Sequence, residues 1–154
     1  MSTTIADAIR NDHSILRKML QEIKKERDAM SPGLDEAFMR LRALSDIHMK
    51  SEEDLFYTVL KERSSSRAEA LEALEEHHIL RILEQEMVKL DKNDEIWKAK
   101  FGLYAEISNH HFDEEEEKLF QEVNQEISQE FQEELGQLFE QRKKLAKIPD
   151  LTAV

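Results

Sequence analysis

Cysteine is absent from this chain of 154 residues. That absence removes disulfides, thiolate zinc sites, iron–sulfur ligation and a cysteine nucleophile together. Helix breakers are nearly as scarce, with 3 glycines and 2 prolines, so helical segments meet few interruptions. No apolar run approaches the roughly 18 residues that a membrane-spanning helix requires. The stretch from Met1 to Arg10 includes Asp7 and lacks an apolar secretory core, which makes the cytoplasm the expected location. Basic residues are also in the minority: 22 Lys and Arg against 34 Asp and Glu leave a net charge of −12. Such a charge argues against a nucleic-acid or anionic-membrane partner, since both are polyanions. Toward metal cations it is neutral evidence.

What is present is a helical pattern. The length suits a single domain spanning 1–154 with a proper core. Charged residues make up 36% of the chain, so its hydrophobic residues must lie in narrow stripes on helices. Breaks fall at Ser31-Pro32-Gly33, with Ser31 as N-cap and Pro32 at the first helical position, then at Ser64-Ser65-Ser66 and at Asp91-Lys92-Asn93-Asp94. A softer break lies between Asn124 and Ser128. Helices are therefore expected near 4–30, 33–62, 66–90 and 94–123, with a shorter amphipathic helix near 128–146 that precedes Pro149. Short links between long helices favour antiparallel neighbours. The expected fold is all-α: an up-down-up-down four-helix bundle over about 4–123 with an additional C-terminal helix.

The first helix carries the stripe Ile5, Ile9, His13, Leu16, Leu20, Ile23, and the second reads Leu34, Phe38, Leu41, Leu44, His48, Glu52, Leu55, Val59. Charged or polar side chains inside an apolar stripe are costly unless paired or coordinated. The second half of the chain repeats the first. Asp12-His13-Ser14-Ile15-Leu16-Arg17 aligns with Glu76-His77-His78-Ile79-Leu80-Arg81 at an offset of 64. At an offset of 63, Phe38 meets Phe101, Ser45 meets Ser108, His48 meets His111, Glu52 meets Glu115 and Tyr57 meets Phe120. The chain thus reads as a duplicated helical hairpin, each copy giving one lone histidine and one His-x-x-x-Glu pair. The repeat also selects His77 over His78 and His111 over His110, because adjacent residues on a helix point about 100° apart.

In His-x-x-x-Glu the two side chains lie one turn apart on one helix face, close enough to bind one metal centre. Two such pairs, His48–Glu52 and His111–Glu115, face each other across the bundle, and His13 and His77 complete the ring. Four imidazoles and two carboxylates can hold two metal ions, the carboxylates bridging, with room for an oxo or hydroxo bridge and an exogenous ligand. A nitrogen–oxygen donor set suits iron or manganese and, less specifically, zinc; four imidazoles favour iron. The same spacing in His110 and Glu114 falls on the solvent face. The acidic run from Asp113 to Glu117 reads as solvated apart from Glu115. Tyr104, two turns from His111 on the same face, is placed to reach a metal-bound ligand with its hydroxyl.

The chain resembles the hemerythrin-like (HHE cation-binding) domain family over roughly 5–123. The resemblance rests on Asp12-His13, His48-Met-Lys-Ser-Glu52-Glu53-Asp-Leu-Phe56-Tyr57, Glu76-His77 and His111-Phe-Asp-Glu-Glu115-Glu116-Glu-Lys-Leu-Phe120. It implies a left-turning four-helix bundle with a carboxylate-bridged non-haem di-iron centre that binds or senses small diatomics or peroxide. In some members it implies oxidative chemistry or iron–sulfur cluster repair. Oxygen-carrying members place a second histidine one turn away on the third helix, where this chain has Ala73 and Arg81. With Glu115 in the second pair, the pattern resembles the bacterial four-histidine, two-glutamate branch instead. The repair proteins of that branch carry a cysteine-containing N-terminal domain, which this sequence does not show. The resemblance therefore implies small-ligand binding or sensing first, and peroxide or nitric oxide detoxification or iron donation as the alternative.

Overall fold

A computed structural model describes residues 3–146; Pro149 lies outside them. Five helices account for nearly all of these residues, and no strand occurs among them. Helix α1 is Ile5–Asp28, α2 runs over 34–60, α3 is Arg67–Val88, α4 runs over 95–126 and α5 is Gln129–Leu145. The first four form the bundle, and α5 packs back across α1 and α2.

Local chemistry sets most of the boundaries. Thr4 caps α1 in a reciprocal box with Asp7, each side chain bonding the other's backbone N–H. Asp94 caps α4 through the backbone N–H of Ile96, and Ser128 caps α5 through that of Phe131. The expected cap at Ser31 is displaced. Gly33 is the N-cap of α2, and the Ser31 hydroxyl instead accepts from the Gly33 N–H, folding the turn rather than opening the helix. The fourth helix also runs on to Glu126, with extended backbone at Ile127 making the break.

Two helices contain one π turn each, Glu53–Tyr57 in α2 and Glu115–Leu119 in α4. They fall at equivalent places in the duplicated hairpins, immediately around the two glutamates. A π turn inserts a residue relative to α-helical winding and rotates everything after it. The stripe expected to continue through Leu55 and Val59 is corrected accordingly. Those two side chains are only partly buried, and Phe56, Tyr57 and Leu60 face the core.

The core is layered along the bundle axis. One apolar cluster includes Leu16, Leu20, Leu41, Leu44, Leu80, Met87, Trp97 and Phe101. A second includes Ile5, Ile9, Phe56, Tyr57, Leu60, Leu119, Phe120 and Val123, joined by Leu135 and Phe139 of α5. Between the two lies a belt of histidines and glutamates.

Close approach of α5 to the start of α1 depends on Gly136, where a Cβ would stand 2.1 Å from the Thr3 carbonyl oxygen and 2.7 Å from the Thr4 carbonyl carbon. Gly136→Ala is expected to lower stability by about 1–3 kcal/mol in thermal or denaturant unfolding, because the two helices must separate. Gly102→Ala, with only Arg27 Nη1 at 3.7 Å from the added carbon, should instead raise it by about 0.5–1 kcal/mol, since it replaces a helix-interior glycine at an open site.

Candidate metal centre

Each bundle helix delivers its polar residues to the belt between the apolar layers. His13 comes from α1, His48 and Glu52 from α2, His77 from α3, and His111 and Glu115 from α4. None of the six is more than 1% exposed. Glu52 Oε1 stands 3.1 Å from His48 Nε2 and 3.3 Å from His77 Nε2. Glu115 Oε1 stands 3.1 Å from His111 Nε2 and 3.2 Å from His13 Nε2. Each carboxylate therefore reaches imidazoles from both halves of the duplication, as a bridging group would. Two overlapping clusters have donor atoms within 4.8 Å of one another and could each hold a metal ion: His13, His48, Glu52 and Glu115, and Glu52, His77 and His111.

The imidazoles are oriented from behind. His13 Nδ1 lies 3.2 Å from Glu116 Oε2, His48 Nδ1 2.9 Å from Asp12 Oδ2, His77 Nδ1 2.8 Å from Glu53 Oε2 and His111 Nδ1 2.8 Å from Glu76 Oε1. A carboxylate only accepts, so in all four rings Nδ1 carries a proton, and Nε2 is the atom turned toward the centre. This tautomer is the one that binds a metal, held by the outer carboxylates usual behind metal-binding histidines. Arginine steadies two of the four: Arg17 bonds Glu116 at 2.5 Å and Arg81 bonds Glu53 at 2.7 Å. Lysine steadies a third, with Lys143 of α5 at 2.5 Å from Asp12.

The inner atoms are left without partners. His13 Nε2, His48 Nε2, both oxygens of Glu52 and Glu115 Oε1 are buried and make no hydrogen bond, and His77 Nε2 faces His111 Nε2 at 3.0 Å. Lone pairs that oppose one another in a dry interior repel unless a cation lies among them. The electrostatics agree. Burial by itself would push the His48 imidazole down, but the Glu52 and Asp12 carboxylates outweigh it and raise it to about 10. His111 is likewise raised well above its ordinary value, its burial overcome by Glu115 first, then Glu52 and Glu76. Burial also opposes ionisation of Glu52, yet His48, His111 and His77 hold its carboxyl well below the usual range. The belt thus attracts positive charge strongly, and bound metal would displace protons from it. The donor set present fits a pair of metal ions.

All six side chains expected from the sequence converge, while His78 and His110 are exposed and Glu114 pairs with Lys118 and His110 outside the belt. Two readings need correction. Glu116 is no solvated member of the acidic run: hydrogen bonding to His13, against some burial and with help from Arg17, brings its carboxyl down to about 2. Tyr104 does not reach the belt, since its hydroxyl donates to Glu84 Oε1 at 2.6 Å and lies 2.9 Å from Ser45 Oγ. Tyr57 takes that place. The π turn swings it inward, its hydroxyl donates to Glu115 Oε2 at 2.6 Å, and it lies 3.3 Å from His111 Nε2 and 3.4 Å from His77 Nε2. Burial and then Glu115 hold the Tyr57 phenol well above its ordinary value, so it keeps its proton. The sequence carried one signal for the outer ring: Asp12 with Glu76, Arg17 with Arg81 and Glu53 with Glu116 recur in the duplication alongside the histidines.

Glu84 forms a second buried polar spot away from the belt. Burial, with the nearby Asp46 carboxylate, pushes its carboxyl up to about 8. The folded chain therefore binds this proton more tightly than the unfolded chain does, and stability falls as pH rises from about 4.5 toward 8. Glu84→Gln, which stays neutral, should flatten that decline. Denaturant unfolding at pH 5 and pH 8 should show the variant gaining on the wild type at the higher pH.

No curated protein and no solved structure matches the chain significantly. The family model described as the hemerythrin HHE cation-binding domain does match, over residues 4–123. That span holds all four bundle helices save the last turn of α4, and with them the whole histidine–glutamate belt. On that match the chain belongs to the hemerythrin HHE cation-binding domain family.

Proposed function

We propose that this chain is a non-haem di-iron protein whose metals are held by His13, His48, Glu52, His77, His111 and Glu115, and that it binds or senses oxygen, nitric oxide or peroxide. One observation carries the reading: four histidines have their Nδ1 protons committed to outer carboxylates, and their Nε2 atoms converge with both oxygens of buried Glu52 and with Oε1 of buried Glu115, which have no hydrogen-bond partner. Nitrogen and oxygen donors without thiolate favour iron or manganese over zinc, and the imidazole share favours iron. When bound, a pair of irons supplies one-electron redox chemistry and a coordination position for a small ligand.

The protein's own contribution is orientation and exclusion. Glu116, Asp12, Glu53 and Glu76 fix each ring so that no reorganisation is needed on binding. Phe112 stacks on His13 at 4.4 Å and Phe139 meets His48 edge-on at 5.9 Å, closing that flank to water. Size and dryness favour small, weakly hydrated ligands. A second reading, turnover of peroxide or nitric oxide, is favoured by Tyr57, whose hydroxyl holds a proton inside the belt beside two imidazoles and Glu115. A protonated phenol there can stabilise or protonate a bound anion.

Protein loaded with ferrous iron and exposed to air should hold about two irons per chain, with absorption in the near ultraviolet. Glu52→Ala and Glu115→Ala should lose that iron, whereas Glu114→Ala should keep it. Equal loss from the Glu114 and Glu115 variants, or uptake of a single zinc and no iron, would refute the di-iron assignment. Glu116→Gln, removing charge behind His13, should weaken metal affinity by about 10–100-fold in chelator competition. Tyr57→Phe should retain both irons. If it leaves azide affinity and peroxide consumption unchanged, Tyr57 has no part in turnover; a wild-type protein that consumes neither peroxide nor nitric oxide leaves binding alone.

A further inference from the structure

The duplication makes two clefts that should be alike, one between α1 and α2 and one between α3 and α4, and α5 treats them differently. Over the first, Leu135 and Phe139 pack on Ile5, Ala8 and Ile9, all fully buried, and Lys143 bonds Asp12. At an offset of 64, Ile5, Ala8, Ile9 and Asp12 correspond to Glu69, Glu72, Ala73 and Glu76. No residue of α5 lines this second cleft. It is lined by Glu69, Glu72, Ala73, Glu76 and Glu114, with Lys118 at its edge. His111 and Glu115 form its inner wall, and its free volume is about 10 Å³.

Acidic side chains on a helix surface are ordinarily no more than a solvated face. Here they lead to something. Glu115 on the inner wall is 1% exposed, and its Oε1 has no hydrogen-bond partner. Ala73, buried where the other copy has Ile9, presents a smaller side chain at the same place. Four carboxylates against one lysine make the opening a place of negative potential, and low-dielectric walls concentrate that field. A volume of about 10 Å³ admits one water-sized body. An arriving ion therefore has to exchange most of its hydration shell for carboxylate oxygens as it moves inward, which suits hard divalent cations and repels anions.

We propose that this cleft between α3 and α4 is the uptake site for divalent metal, where Glu69 and Glu72 collect the ion and the small side chain of Ala73 lets it pass to Glu115 and His111. The proposal rests on the metal-centre reading above and adds the route by which that centre fills. The α1–α2 side is sealed by α5.

The test is anaerobic stopped-flow mixing of the metal-free full chain with cobalt(II), whose visible bands report coordination, followed by metal analysis of the product. Glu69→Gln with Glu72→Gln should slow uptake by about tenfold at low ionic strength and remove most of its salt dependence. Ala73→Ile, which copies the sealed cleft, should slow it at least as much. Both variants should still reach two metals per chain. A matched charge change on α5, Glu130→Gln with Glu134→Gln, should leave the rate near that of wild type. Unchanged rates in both cleft variants, or equal slowing by the α5 control, would overturn the route while leaving the centre standing. A wild-type chain that takes up no metal would overturn both.

Discussion

Six ionisable or polar side chains lie in a belt between two apolar layers, and none of them is more than 1% exposed. Such a layer is unfavourable for the fold unless its lone pairs and charges meet partners of opposite sign. Part of the compensation comes from within, as each imidazole donates its Nδ1 proton to a carboxylate outside the belt. What remains is an inward set of nitrogen and oxygen lone pairs whose natural complement is a cation. Helix registers, the inward turn of Tyr57 and the burial of Asp12 all serve to hold that set in place.

Much of this was legible before any coordinates. Lone histidines in apolar stripes, His-x-x-x-Glu pairs and the offsets of 63 and 64 picked out His13, His48, Glu52, His77, His111 and Glu115. The four bundle helices and the fifth fell within a few residues of their expected bounds. Those features are local and periodic, so they survive in one dimension. Two kinds of information did not. A π turn depends on how a helix settles against its neighbours, and no residue type in Glu53–Tyr57 or Glu115–Leu119 announces one. Partners on different helices, such as Lys143 with Asp12 across 131 positions, need the tertiary fold. Tyr57 enters the belt for the first reason, and Tyr104 is held out of it for the second, by Glu84 on α3 and Ser45 on α2. Glu116, within an acidic run, looks like a wet face in the sequence, although its repeat partner Glu53 sits in an equivalent bond to a histidine.

Duplication explains the near-symmetry of the centre, and the fifth helix explains its departures. His48 and His111 are equivalent in sequence, but Asp12 behind the first is wholly buried and tied to Lys143, while Glu76 behind the second is partly open. The two donor clusters, built from like residue types, thus sit in different electrostatic surroundings, one backed by an extra cation and one facing an acidic cleft. Inequivalence of that kind would let metal ions held in the two clusters differ in affinity without any change in the residues facing them.

The π turns carry a further consequence. Each one works as a phase slip in its helix, so the rhythm that sets the ligands above it is independent of the rhythm that packs the end below. A residue on the far side can then change its chemistry without disturbing the ring. The duplicated pair Tyr57 and Phe120 illustrates this: the same slip carries a phenol hydroxyl to Glu115 in one half, and in the other a ring stacked 6.4 Å from His13. Insertion or deletion of one residue would therefore act very differently along α2. Beyond Tyr57 it would re-index only the lower end, whereas between His48 and Glu52 it would separate those two side chains by roughly 100°.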